Sequence, residues 1–398
     1  MAEMKPIGID QTTGQQRVVE SDDSVIDTIG NTIQIRVTRN YDYSGGANNV
    51  HVLHPWSATS IKIEDPASMP QGSTNQVAWS PDGEYLAVGS ASGTSLLIYQ
   101  RVGDSFIKID DPASLPVDVR SAAWSNDGQF LTVGSASAPY LLNYQREGNT
   151  FTLLSAPASA PAGFVDGIGW SPNGEYLAIG FFAISNPTLF IYKREGTTFT
   201  KLDNPTTVPM SFTTGISWSP DNRYLAVGTF SSPYLYLYEQ DGIDSFVKIP
   251  DPATLPTGQT RFLDWSPEGD FLAVPYGISP FLNVYQRSGS TFTKIADPAT
   301  LPGGQGNAVS WSPTGNHLAV AHIGAPYLTV YERQGTTLTK LSDPASSISS
   351  DGFGVNFSPN GEFLAVTEAS SPNFQLRQTD VEIPESGVVI IKGLPLDN

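Results

Sequence analysis

Four histidines and 39 acidic side chains are the groups in this chain whose types could do chemistry; no cysteine joins them, so thiolate catalysis and disulfides are absent from the menu. His317 and His322 lie five residues apart in an alternating apolar run, which points them to opposite faces of a strand. His317 also stands where other copies of the same run carry Tyr85 or Phe130, so it reads as a substituted structural aromatic. His51 and His54 alternate in the same way and make a poor metal pair. No Gly-x-Ser-x-Gly elbow opens a helix, and no His-Glu-x-x-His occurs. The aspartates of a recurring Ser-Pro-Asp-Gly could be imagined as calcium ligands, but Asn173 and Thr314 replace two of them, and turn chemistry explains the rest. The expectation is no catalytic residue, no metal and no cofactor.

The elements that hold these residues come from one stretch written seven times. Its cleanest copy is Val77-Ala78-Trp79-Ser80-Pro81-Asp82-Gly83-Glu84-Tyr85-Leu86-Ala87-Val88-Gly89. The Trp returns at 124, 170, 218, 265 and 311, and Phe357 takes the seventh place, at spacings of 45, 46, 48, 47, 46 and 46. A period in the forties with strand-like content is the mark of a propeller. Each copy predicts two strands joined by a tight hairpin, with Pro setting the first corner and Gly, or Asn222 in the fourth copy, taking the left-handed position. An outer strand stops at Asp-Pro (Asp65-Pro66, Asp111-Pro112, Asp251-Pro252, Asp297-Pro298, Asp343-Pro344), because Pro has no N–H for a ladder.

After the last Trp-type unit, no outer strand follows Phe374-Gln375-Leu376, whereas Ile61-Lys62-Ile63-Glu64 precedes the first. The fold class expected is therefore all-β: a seven-bladed β-propeller closed by an N-terminal strand that completes the last blade, with short terminal arms. The organisation expected is an attachment arm over 1–56, the propeller over 57–378 and a strand-like tail over 379–398. The tail run Gly387 to Gly393 is a candidate partner for the strand around Ile33 to Val37.

Composition narrows the function classes. The chain is 39% hydrophobic and 15% charged, with 37 Gly and 31 Pro, a turn-rich all-β balance. Its net charge of −18 and its thinly spread Lys and Arg speak against nucleic acid or an anionic membrane surface. No apolar run approaches the length of a membrane span, and the first residues lack a signal-peptide pattern.

The seven Ser-Pro-Asp-Gly-x-Tyr-Leu-Ala-Val hairpins resemble the WD-repeat and YVTN-type β-propellers, over about Ile61 to Gln378. The Gly-His and Trp-Asp pairs of WD repeats are missing, and the third strands end in Tyr-Gln-Arg, Tyr-Lys-Arg or Tyr-Glu-Arg, so that family's His–Ser–Asp network does not carry over. The units also look like propellers of phage structural and prokaryotic surface proteins, and Lys5 to Gly14 is similar to leaders that fix tail, fibre or decoration proteins to a particle. What this second resemblance implies is a non-enzymatic virion protein, present in multiple copies. Lys5, Ile7, Ile9, Ile33, Ile35 and Val37 would bind other virion proteins, and the ring would meet a host glycan or protein. The alternatives are a bacterial scaffold or adhesin, in the cytoplasm or at the cell surface, and, behind these, a propeller lactonase or hydrolase.

Function is carried by sites grafted on a fold, and the loops before each third strand are the place to look. Tyr140, Phe181, Phe182, Tyr234, Tyr276, Phe281 and Tyr327 stand in or beside these loops. Aromatics among Ser, Asn and Gln suit glycan or protein recognition, and the same residues equally suit the start of a buried strand. The two-residue insertion around Phe181 to Asn186 singles out the third unit.

Overall fold

The computed structural model describes residues 61–379, apart from 92, 94, 184–186, 344–347, 371 and 372, and the backbone of five short strands in the terminal segments. Seven four-stranded antiparallel sheets follow one another around a ring. The first blade is built from Thr74–Trp79, Tyr85–Ser90, Leu96–Val102 and Ser105–Lys108. Blades two to six begin at Val119, Val165, Thr213, Asp264 and Gly306. The seventh pairs Gly352–Phe357, Phe363–Glu368 and Phe374–Gln378 with the N-terminal Ile61–Lys62. Lys62 sits opposite Arg377 and Ile61 opposite Gln378, and Ile63 donates to Leu376 O at 3.1 Å, so the ring closes by sharing its last blade between the two ends. The fold is a seven-bladed β-propeller, as the repeat count requires.

The recurring residues show why the sequence repeats. Ser80 Oγ accepts the Tyr85 N–H at 2.8 Å, Asp82 Oδ1 accepts the Glu84 N–H at 3.0 Å, and Gly83 takes a φ of +69° that an L-residue rarely adopts. Asn222 holds the same corner at +62°. Each repeat Trp lies buried between blades, and four donate the indole N–H to the inner strand of the blade before: Trp79 to Asn356 O at 3.2 Å, Trp124 to Ala78 O at 3.2 Å, Trp218 to Gly169 O at 3.0 Å and Trp265 to Ser217 O at 3.3 Å; Trp170 instead reaches Thr132 Oγ1 at 3.1 Å. The Tyr of the third strand is fully buried and reaches back to the Asp-Pro loop, as Tyr144 does to Ser114 O at 2.7 Å and Tyr331 to Thr300 O at 2.9 Å. Arg377 takes this place in the seventh blade, opposite Leu364 as Tyr331 is opposite Leu318.

Blade five departs from the rule. Pro275 stands where four other blades have Gly, opposite the inner strand, and removes the N–H that the ladder needs. Its inner strand shrinks to Asp264–Trp265, and the preceding backbone finds other partners. Phe262 N donates to Asn307 O at 3.2 Å and Val309 N to Phe262 O at 3.1 Å, a parallel bridge to blade six. On the other side Thr260 N donates to Thr229 O at 3.1 Å, in blade four. A Cβ at Gly215 of blade four would stand 1.9 Å from Arg261 O, so only glycine admits this approach.

The chain divides into two compact units, Trp56–Asp380 and Met1–Pro55 with Val381–Asn398. In the second, Val388–Ile391 pairs antiparallel with Thr32–Arg36, placing Ile391 opposite Ile33 and Val389 opposite Ile35. Ile9 pairs with Gln16 in a separate two-stranded piece. Lys5, Ile7, Val37, His51 and His54 lie outside the described residues. Among the described residues no helix is long and apolar enough to cross a membrane.

Candidate functional site

The ring has two ends, and they are built differently. At the turn end, Asp82, Asp127, Asp221 and the Glu268 that stands in their place each have a partner that turn chemistry alone does not give. Arg146 of blade two reaches Asp82 Oδ2 of blade one at 2.8 Å, while its guanidinium lies 4.6 Å over the Tyr85 ring and 5.8 Å from that of Trp124. The clasp recurs as Arg194–Asp127 at 2.9 Å, Arg287–Asp221 at 2.7 Å, Arg333–Glu268 at 2.6 Å and Arg101–Glu362. Burial pushes the Asp82 carboxyl up, but hydrogen bonds from Ser80, Arg146 and the Glu84 N–H outweigh it and hold the group below the ordinary carboxylate range. Between blades three and four Gln240 replaces the Arg, and Asp244 takes over by accepting from Tyr176 and Lys193, both at 2.8 Å. The reading of these aspartates as turn residues only is thus corrected: a long basic side chain of the next blade closes on them.

Asp264 sits one residue before Trp265 and accepts the Trp311 N–H at 2.9 Å. Burial pushes its carboxyl up to about 7, and the backbone N–H groups of Trp311 and Trp265 pull it back only in part. His317 and His322 are both buried; His322 Nε2 meets Thr329 Oγ1 at 2.9 Å, and burial lowers the pKa of its ring. Among the described residues no group of three or more His, Cys, Asp or Glu could hold a metal ion.

At the loop end each blade pairs one residue leading into its inner strand with one just past its second strand. Those pairs are Ser73 with Ala91, Asp118 with Ala136, Gln259 with Gly277, Gln305 with Ile323 and Asp351 with Ala369, each joined by a backbone hydrogen bond. In blades three and four the same two positions are Phe164 with Phe182 and Phe212 with Phe230. Their rings run on from one blade to the next, with centroids 4.4 Å apart for Phe164–Phe182, 3.7 Å for Phe182–Phe212 and 5.9 Å for Phe212–Phe230. Phe230 is 49% exposed, and Met210 beside this strand entry is 71% exposed. A row of phenylalanines that runs from three half-buried rings out to the exposed Phe230 is what a dry partner surface needs and what a solvated loop does not.

Two residues further along each inner strand entry, a β-bulge places one side chain per blade at the same level: Asn75, Arg120, Asp166, Thr214, Asn307 and Phe353, with Arg261 in the matching place of blade five. Burial raises the Asp166 carboxyl, opposed by the charges of Arg120 and Arg261. Blade four separates Arg261 from both of the others, so these charges meet across the central channel.

Of the aromatics proposed from sequence, Phe182 belongs to the phenylalanine row and is half-buried there. Phe181 and Tyr276 lie inside the wall, each 2% exposed, which takes their rings away from any ligand. Tyr140 and Tyr327 are half-buried against the core of their blades. Tyr234 and Phe281 are half-buried as well, and with Tyr327 they take left-handed φ values of 66°, 70° and 68°. Sequence reasoning passed over Phe164, Phe212, Phe230, Arg120, Asp166 and Arg261. Reading the repeats column by column, rather than unit by unit, would have exposed Phe in columns of Ser, Asp, Gln and Ala.

The described geometry defines a seven-bladed β-propeller with a distinctive loop end. The WD40 family, described as "WD domain, G-beta repeat", matches residues 69–97, which span the first Trp hairpin. Among solved structures the chain is similar to the β-propeller domain of Cps50 (Swd1) from Myceliophteria thermophila. That likeness has a TM-score of 0.59 at 16% identity, covering 77% of this chain and 97% of that one, and it speaks for the fold. No curated protein matches the chain.

Proposed function

We propose that this chain is a non-enzymatic binding protein whose ring docks a protein partner on the loop end of blades three and four. The observation that carries this is the Phe164–Phe182–Phe212–Phe230 row, present in two adjacent blades, whereas nine of the ten matching residues in the other five blades are small or polar and the tenth is Ile323. Rigid aromatics at the centre of an interface supply most of the energy of such contacts. Affinity capture with the purified chain tests it. Phe230→Asp should abolish recovery of the partner that the wild type retains, whereas Ile243→Asp, at an 87% exposed position of the turn end, should leave it intact. Equal capture by all three proteins would refute the assignment.

Within this role the setting we favour is a phage virion, in tail, fibre or capsid decoration, with multiple copies presenting the ring to a host protein or glycan. Support comes from the resemblance of Lys5 to Gly14 to particle-attachment leaders, and from the pairing of Thr32–Arg36 with Val388–Ile391, which joins both terminal segments in one sheet suited to an attachment unit. Mass spectrometry of purified particles should find the chain in them. Its confinement to the soluble fraction of the cell would favour the bacterial scaffold instead.

A further inference from the structure

Arg261 is a half-buried cation that the fold leaves unused. At the same bulge position Asn75 donates to Val119 O at 2.8 Å, Asn307 to Gly352 O at 2.8 Å and Thr214 to Thr260 O, so these three side chains stitch each blade to the next. Arg120 is engaged by Asp118, Nε to Oδ1 at 3.2 Å. The Arg261 side chain makes no hydrogen bond or ion pair with any described residue, and its Nε is buried. Asp166, whose charge acts on it across the channel, makes none either. A guanidinium partly withdrawn from water with its Nε unmatched is costly to keep, and native proteins keep such groups where a ligand supplies the partner.

The segment carrying Arg261 is also held firmly. Pro275 frees it from its own blade, Thr260 fixes one side to Thr229 of blade four, and Phe262 fixes the other to blade six. A side chain on backbone pinned from both flanks is preorganised for recognition. Phe164 lies two residues before Asp166 on the same strand entry, which sets the aromatic row at the lip of this channel mouth.

We propose that the channel mouth is a carboxylate site anchored by Arg261, and that its ligand is the C-terminal end of a partner polypeptide. The planar guanidinium matches a carboxylate in two parallel hydrogen bonds. Asp166 accepts the N–H that accompanies a terminal carboxylate and repels doubly charged phosphate or sulfate, while an apolar terminal side chain lies against the phenylalanines. The ligand's identity rests on the docking reading above; the anion site itself does not.

The test is calorimetric titration at neutral pH of the full chain with two probes, N-acetylphenylalanine and its uncharged amide, repeated on Arg261→Met. The wild type should bind the acid at least about tenfold more tightly than the amide, a difference of about 1.4 kcal/mol. Arg261→Met should lose that preference while melting no lower than the wild type, since it removes a half-buried charge that has no hydrogen-bonded partner. Sulfate should not displace the acid. Equal or absent binding of both probes, a preference surviving in Arg261→Met, or a variant that melts lower would overturn the site; displacement by sulfate would overturn its assignment to a C-terminus. If Phe230→Asp blocks capture but the acid shows no preference, only the channel site falls. If the acid is preferred but capture ignores Phe230→Asp, the docking face falls and a small-carboxylate site remains.

Discussion

The two ends of the ring differ in how completely they use what they carry. At the turn end the arginines are spoken for: Arg146, Arg194, Arg287 and Arg333 each hold an acidic group of the previous blade and cover its aromatic ring. The same solution is repeated because each blade faces the same problem of sealing against its neighbour. At the loop end the pattern breaks, with phenylalanines in two blades, an unpaired Arg261 in the channel and a proline that unseats one inner strand. Repetition marks what the ring needs to stand, and departure from it marks what the ring is available to do.

That contrast can be broken by substitution. Trp124→Ala at the turn end should cost the most, about 3–5 kcal/mol, because it empties a buried interblade site and orphans Ala78 O; urea unfolding would measure it, and a loss under about 1 kcal/mol would contradict the packing described. Asp264→Asn should act in the opposite direction. Its carboxyl titrates near 7 in the folded ring and near 3.8 when unfolded, so the native state binds the proton more tightly and ionisation costs stability as pH rises between those values. Asparagine can keep the bond to Trp311, as Asn356 does toward Trp79 N at 3.3 Å. The variant should therefore match the wild type below about pH 4 and exceed it by about 2–4 kcal/mol above pH 7. A gain independent of pH would show that Asp264 is not the titrating group.

Smaller effects sharpen the comparison. Arg333→Ala removes one clasp to Glu268 and the cover over Phe271, and should cost about 1–2 kcal/mol, falling somewhat with added salt. Phe230→Ser at the loop end should change stability by no more than about 0.5 kcal/mol, yet weaken partner binding. A substantial loss of stability there would make the phenylalanine row a piece of core.

Much of the ring was legible in sequence because its causes are local. Ser80, Asp82 and Gly83 interact within one hairpin, and the orphan Ile61-Lys62 strand follows from counting outer strands. The clasp was less legible, since Asp82 and Arg146 are 64 residues apart and meet only through the ring's curvature. The loop end was least so. Tyr276 looks exposed by its place after a strand, yet its hydroxyl donates to Asn283 at 3.1 Å inside the wall. The consequence of Pro275 also lies elsewhere, in the backbone of Phe262 and the freedom of Arg261.

The most direct test of the contrast applies one substitution at both ends. Thermal melting of Arg287→Met and Arg261→Met should be measured side by side at neutral pH. Arg287→Met should melt below the wild type, because Asp221 loses its clasp and Tyr224 its cover. Arg261→Met should melt at or above it. If both fall by the same amount, Arg261 is one more structural arginine, and the loop end is not set apart from the rest of the ring.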